Sequence, residues 1–157
     1  MVSDRLTYLN LAENTNYFLL SYYNAGIIET LFNEPIWLLI NLGLAMLFTS
    51  EGVVQIIIFS SSFILSYMLL KNNPRNLLWL ILFLLSPVIV TRFTSHIRQG
   101  LAMSIFFSGY FIKSKKKGAM LMAISPFIHS SYFIILPIIA LPNLLHRLRL
   151  SLGIKIQ

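Results

Sequence analysis

The chain alternates between long apolar runs and short polar segments. The apolar runs over residues 53–70, 77–90 and 97–112 approach the ~20 residues that a helix needs to cross a bilayer. Short segments rich in lysine, arginine and asparagine separate them. This pattern predicts three transmembrane helices.

Three other segments depart from that pattern. Residues 1–35 are aromatic but polar-punctuated, which predicts an extracytoplasmic or interfacial segment. The apolar run 36–48 is short, so we expect a short or re-entrant helix. Residues 119–145 contain three prolines and a polar break at His129, and they predict a broken helix or a helical hairpin.

Composition agrees with a membrane protein. Hydrophobic residues make up 57% of the 157 residues and charged residues 11%, against roughly 25% charged in ordinary soluble domains. We therefore predict one membrane domain over residues 1–157, with an all-α fold: a polytopic transmembrane helical bundle with broken or re-entrant helices. The absence of cysteine excludes disulfides, thiolate nucleophiles and cysteine metal sites.

The net charge of +7 comes from basic clusters between the apolar runs, so we read it as a topology signal and expect no nucleic-acid partner. The clusters over 71–75 and 113–117 should face the cytoplasm, which leaves Arg98 at the outer end of its helix. A full span over 36–48 would make Glu34 cytoplasmic. A segment that dips in and returns would keep Glu34 on the outer side, and we favour this second arrangement.

Arg98 and Gln99 are the first candidate functional pair. A guanidinium suits phosphate or carboxylate, and the neighbouring amide adds a donor and an acceptor. The alternative is that Arg98 only reaches the membrane interface from a helix end, and for Arg92 the sequence favours such a role as an interfacial anchor. A stripe of small residues at spacing four follows and should let another helix approach closely: Gly100, Ser104 and Ser108.

The other candidates are one histidine and two carboxylates. His129 lies roughly 17 Å into the bilayer at ~1.5 Å per residue, and ionisable groups at such depth are functional candidates. It could act as a general acid or base, or it could only bond a carbonyl of the broken helix or Ser125. Glu34, and Asp4 with Tyr8, are the carboxylate candidates, with solvated loop charges as the alternative.

Five short segments follow one another along nearly the whole chain: SDRLTY, NEPIWLLIN, IRQGLAMSIFF, a lysine-rich segment and MAISPFIHSSYFIILP. Their order and spacing resemble the EpsG-type family of bacterial membrane proteins, relatives of the Wzy polymerases. The resemblance implies a glycosyltransferase of capsule, O-antigen or exopolysaccharide biosynthesis. Such an enzyme transfers a growing glycan between polyprenyl-diphosphate-linked repeat units, at the outer face of the cytoplasmic (inner) membrane, with no cofactor and no metal.

The resemblance also implies roles for individual residues. Glu34, Arg98 and His129 would be catalytic, with Arg98 holding diphosphate or acceptor and Glu34 acting as base. Five residues would bind substrate: Asp4, Tyr8, Arg92, Gln99 and Ser130. The expected partners are a polyprenyl-diphosphate-linked oligosaccharide, the lipid bilayer and other polysaccharide-assembly membrane proteins.

The length of the chain bears on this interpretation, and two other functional hypotheses stand beside it. Polymerases of this kind are usually more than twice as long, so we expect a truncated product or a fragment, and whether it acts alone as an enzyme stays open. A fragment of a lipid-linked glycan transporter or flippase is a second hypothesis, since broken helices and buried polar residues also suit a substrate path. A third is a small non-catalytic membrane subunit whose polar residues only pack helices.

Overall fold

The computed structural model describes the backbone of residues 2–138 and 141, and the side chains of these residues from Leu6 onward. Regular structure within them is helical throughout, so the predicted all-α class is confirmed. The helices whose two ends are described are α1 (Val2–Ala25), α2 (Ile27–Phe32), α3 (Pro35–Ala45), α4 (Ser50–Asn72), α5 (Leu77–Leu84), α6 (Pro87–Thr94), α7 (Ile97–Phe111) and α8 (Lys115–Ile124), with 3₁₀ turns at Pro74–Asn76 and Ser125–Phe127.

Helix α7 lies at the centre of the fold and makes its most extensive contacts with α4 and α8. The apolar core around it includes Trp37 of α3, Ile57 of α4, Ile97 of α7 and Ile128 after the second 3₁₀ turn, each at most 2% exposed. Packing in this core places the first turns of α3 and α7 close to Ile128, which follows α8.

Helix α4 is, in the described part of the chain, the one helix long and apolar enough to cross a membrane by itself. Only 33% of its most apolar window is buried within the protein, whereas the core helix of a soluble protein would be mostly covered. Phe59, Phe63 and Tyr67 form an exposed stacked row along it, and the row ends where Lys71 Nζ lies 5.0 Å from the Tyr67 ring centroid. An apolar row capped by a cation is typical of a helix that meets lipid and then the headgroups.

The other predicted spans are shorter or broken. The segment over 77–90 is divided between α5 and α6, which pass as one span only if they are counted together across a bend of 69°. Pro87 begins α6, and proline explains the break because it lacks an N–H and clashes with the preceding turn. Helix α3 has 11 residues, about 16 Å of helix, against a hydrocarbon core of ~30 Å. The number of membrane crossings therefore stays a prediction.

The segment predicted over 119–145 is broken close to His129. Helix α8 starts earlier than expected and gives way to the second 3₁₀ turn, residues 128–131 are not helical, and residues 132–138 are helical again. Pro126 lies in the 3₁₀ turn, where its fixed φ is tolerated. Residues 139, 140 and 142–145 of this predicted segment lie outside the described residues.

The small-residue stripe of α7 makes close helix contacts, as predicted. Ser104 Oγ donates to the Ser61 carbonyl oxygen of α4 at 2.6 Å, and both serines are fully buried. Gly100 faces α6, where a Cβ added to it would lie 2.9 Å from the Arg92 carbonyl oxygen. The stripe therefore fixes α7 against two different helices.

Gly109→Ala is expected to destabilise the fold by about 1–3 kcal/mol, as overpacking commonly does. A Cβ at this position would lie 2.7 Å from the Gly118 carbonyl oxygen of α8, and a backbone atom cannot rotate away. The measurement is denaturation of the purified protein in detergent, followed by the fluorescence of Trp37 in a Trp79→Phe background. The matched control is Gly43→Ala, where an added Cβ meets nothing within 4 Å and helix propensity favours alanine. Equal stability of the two variants would contradict the close α7–α8 crossing.

Candidate functional site

The site begins with an unusual backbone at Glu34. This residue precedes Pro35, the first residue of α3, and has φ 55° and ψ 57°. It is the one non-glycine residue with positive φ in the described chain, a conformation that costs about 1–2 kcal/mol for most residues. Its carboxylate makes no bond to the first turn of its own helix, although N-cap side chains commonly do. The strained backbone directs the carboxylate elsewhere.

The carboxylate of Glu34 joins three donors from distant parts of the chain. Oε2 lies 2.7 Å from Nη1 of Arg98, in the first turn of α7. Oε1 lies 2.9 Å from Nδ1 of His129 and accepts the backbone N–H of Ser130 at 3.0 Å. The predicted candidates Glu34, Arg98, His129 and Ser130 therefore meet at one point.

These contacts keep Glu34 charged. Burial by itself would raise its pKa, but the hydrogen bonds from His129 and the Ser130 amide, together with the charge of Arg98, outweigh burial and lower the pKa from its ordinary value. The carboxylate is therefore ionised at neutral pH. An ionised carboxylate only accepts hydrogen bonds, so the proton in the His129 contact lies on Nδ1.

An aromatic side chain, that of Tyr8, also contacts Arg98. Its guanidinium carbon lies 5.8 Å from the ring centroid of Tyr8, within the range of a cation–π contact. Tyr8 packs edge-on against Trp37 at 5.9 Å. The Arg98 side chain is still 39% exposed, so it is pinned by Glu34 and Tyr8 without being sealed from solvent.

A cavity of about 360 Å³ opens beside this cluster. Its polar lining includes Glu34, Arg98, His129 and Ser130. The structure adds side chains that sequence reasoning missed: Asn33, Tyr22 and Trp37. Trp37 had a usable signal, since a residue three positions after Glu34 returns to the same side of the first turn. In the described chain its indole N–H is buried without a hydrogen-bond partner.

Two of the remaining predicted residues, Gln99 and Arg92, contact each other at a second location, and one, Asp4, cannot be placed. Gln99 does not join its neighbour Arg98; its Oε1 accepts a hydrogen bond from Arg92 Nη1 at 2.5 Å. The side chain of Asp4 lies outside the described residues. Among the side chains that are described, no group of three or more histidine, aspartate or glutamate residues is arranged to hold a metal ion.

Comparison with known proteins identifies the family. The sequence matches the EpsG family over residues 2–155, nearly the whole chain. No match was found among curated proteins or among solved structures. The exposed apolar surface of α4 agrees with a membrane location. The chain therefore belongs to the EpsG family, which places it among membrane proteins of polysaccharide biosynthesis.

Proposed function

We propose that this protein polymerises polysaccharide by transferring a glycan from one polyprenyl diphosphate carrier to a repeat unit on a second carrier. The observation that carries the proposal is the single ionised carboxylate that holds an arginine and a histidine at the edge of a cavity. Transfer from a diphosphate carrier requires a base for the acceptor hydroxyl, which His129 can supply while Glu34 and Arg98 hold it in place, and positive charge near the leaving group.

The proposed step is one displacement. The acceptor hydroxyl oxygen forms a bond to the anomeric carbon of the donor glycan, and the bond from that carbon to the diphosphate oxygen breaks. The diphosphate leaves with the bonding electron pair, and the hydroxyl proton moves to His129 Nε2. Arginine charge near the leaving group stabilises the negative charge that develops there.

The geometry favours His129 over Glu34 as the base. Both oxygens of Glu34 already accept hydrogen bonds, and its lowered pKa makes it a weaker base. His129 Nδ1 carries the proton shared with Glu34, so Nε2 is the nitrogen suited to accept another. In this scheme Glu34 orients the imidazole and stabilises its protonated form, as the carboxylate of a catalytic triad does.

The proposed setting is the outer face of a bacterial cytoplasmic membrane, in a multi-pass helical bundle. Glu34 and Arg98 share one end of α7, opposite the lysine cluster at 113–117. If these lysines face the cytoplasm, the cavity faces outward. The bilayer then supplies the prenyl-linked substrate, and other polysaccharide-assembly proteins are the expected partners.

Reconstitution tests the function directly. Proteoliposomes containing the chain are given polyprenyl-diphosphate-linked repeat units, and the products are separated by size. A ladder of longer lipid-linked glycans is the expected result. Movement of single units across the bilayer without elongation would instead identify a flippase. If the proteoliposomes show neither elongation nor transport, the hypothesis of a non-catalytic subunit is the one that remains.

Arg98→Lys should lower the elongation rate by about tenfold to a hundredfold, because small displacements of catalytic groups have effects of that size. Lysine keeps the charge but cannot hold Glu34 with the planar guanidinium fork. The rate is measured in proteoliposomes at matched protein incorporation. Arg75→Lys, at an exposed arginine in the 3₁₀ turn after α4, is the matched control. Full activity of Arg98→Lys would refute a role for this contact.

A further inference from the structure

The two arginines near the start of α7 differ in how their charge is balanced. Arg98 is paired with Glu34 at 2.7 Å. Arg92, on the last turn of α6, has no carboxylate oxygen within 4.0 Å among the described side chains. Among the described groups, Arg92 therefore carries the less balanced positive charge and is the stronger attractor for an anion, since the charge of Arg98 is already neutralised.

Arg92 is nevertheless held in place. Its Nη1 donates to Oε1 of Gln99 at 2.5 Å, and an amide oxygen orients a guanidinium without cancelling its charge. Gly100 lets the backbone of Arg92 lie directly on α7, because a Cβ there would come within 2.9 Å of the Arg92 carbonyl oxygen. A guanidinium has five N–H donors, and the contact with Gln99 uses one of them.

A cavity of about 330 Å³ opens beside Arg92, at the lower end of the range of about 300–1,000 Å³ for ligand sites. Thr91 and the exposed His96 add polar groups to its wall, and Pro87 and Val88 add an apolar side. A guanidinium in the same cavity as apolar side chains matches a phosphorylated hydrocarbon better than a free sugar.

This cavity adjoins the carboxylate site. His96 also borders a smaller cavity of about 200 Å³, lined by Tyr8 and Arg98. Arg98 in turn borders the cavity that contains Glu34 and His129. A ligand anchored at Arg92 therefore lies next to the residues proposed to carry out glycosyl transfer.

We infer that Arg92, oriented by Gln99 and assisted by His96, binds the diphosphate of a prenyl-linked substrate. Arg98 is then a positioning residue for Glu34 and not the main diphosphate ligand. The inference rests on the proposed function for the identity of the substrate. The same chemistry would suit the phosphate of a phospholipid headgroup, and the test must separate these two sources.

The experiment measures the binding of geranylgeranyl diphosphate to the full chain in phosphatidylcholine nanodiscs by calorimetry. Arg92→Gln should weaken binding by about tenfold or more, because charge-assisted hydrogen bonds are lost. The double variant Glu34→Gln with Arg98→Gln keeps the net charge and should change affinity by less than about threefold. Loss of binding in the double variant but not in Arg92→Gln would place the anion at Arg98 and overturn the inference.

A second pair of variants leaves Arg92 intact. Val88 is 66% exposed on the cavity wall, so either substitution should be tolerated by the fold. Val88→Glu introduces a negative charge that should repel the diphosphate and weaken binding by about tenfold or more. Val88→Gln has nearly the same shape and should bind within about threefold of the wild type. Equal binding by the Val88 variants would also overturn the inference.

Competition identifies the source of the phosphate. Phosphatidylglycerol added to the nanodiscs should displace little of the probe; displacement at equal concentration would reassign the cavity to phospholipid and refute binding of substrate. The elongation assay is read separately. Elongation with binding that does not depend on Arg92 refutes this inference alone, whereas Arg92-dependent binding without elongation refutes the proposed function alone.

Discussion

Glu34→Gln is expected to lower the elongation rate by at least about a hundredfold, the loss that small misplacements of reacting groups produce. A glutamine has one acceptor oxygen, so it cannot satisfy Arg98, His129 and the Ser130 amide together. Its N–H₂ group would also point at one of these donors. Both catalytic orientation and charge balance are lost in one substitution. The rate is measured in proteoliposomes with lipid-linked repeat units.

The same variant should lose about 1–3 kcal/mol of stability. Breaking a fully buried pair costs ~3–5 kcal/mol, but the Arg98 side chain is 39% exposed, so solvent screens part of the loss. Glu51→Gln, at an exposed carboxylate in the first turn of α4, is the control and should leave rate and stability unchanged. Adding Arg98→Gln to Glu34→Gln should cost little more activity, because the two residues act as a unit. Fully additive losses would argue against that unit.

His129→Asn is expected to reduce the elongation rate by about 10²–10⁴-fold, the usual contribution of a general base. The Nδ2 of asparagine can take the place of the imidazole Nδ1 and keep the bond to Glu34. The variant therefore removes Nε2 while it preserves the ion pair between Glu34 and Arg98. The measurement is the elongation rate in proteoliposomes at matched protein incorporation.

A second histidine variant separates geometry from chemistry. His129→Phe fills similar space but leaves Glu34 Oε1 without its side-chain donor, so it should lose both activity and stability. His129→Asn should lose activity with stability close to the wild type. If His129→Asn keeps a normal rate, His129 has only a structural role and the proposed base is wrong.

The sequence was most informative where charge occurs in an apolar chain. Arg98 and His129 were predicted as candidates because ionisable groups are costly near lipid, and Glu34 was a candidate as one of the few carboxylates, outside the apolar runs, that could share a face with an arginine. The prolines after residue 124 indicated a broken helix, because proline cannot continue the backbone hydrogen bonds. The same rule applies at Pro87, but residues 77–90 were predicted as one helix, and the structure divides them between α5 and α6.

Tertiary contacts were harder to predict. Arg98 and Gln99 are adjacent in sequence, which suggested one anion-binding corner, but neighbours on an α-helix point in directions ~100° apart. Gln99 therefore contacts Arg92 across the turn from α6, whereas Arg98 contacts Glu34. The positive φ of Glu34 had no sequence signal either, because glutamate seldom adopts that conformation. Both outcomes depend on how α3, α6 and α7 pack.

The distance in sequence from Glu34 to each of its partners has a consequence for biosynthesis. Arg98 follows it by 64 residues and His129 by 95. At ~5–20 residues per second, the ribosome makes Arg98 about 3–13 s after Glu34, and His129 later still. During that interval the Glu34 carboxylate must remain hydrated, so we expect the first turn of α3 to stay at the membrane surface. The site is thus completed only after translation has passed Ser130.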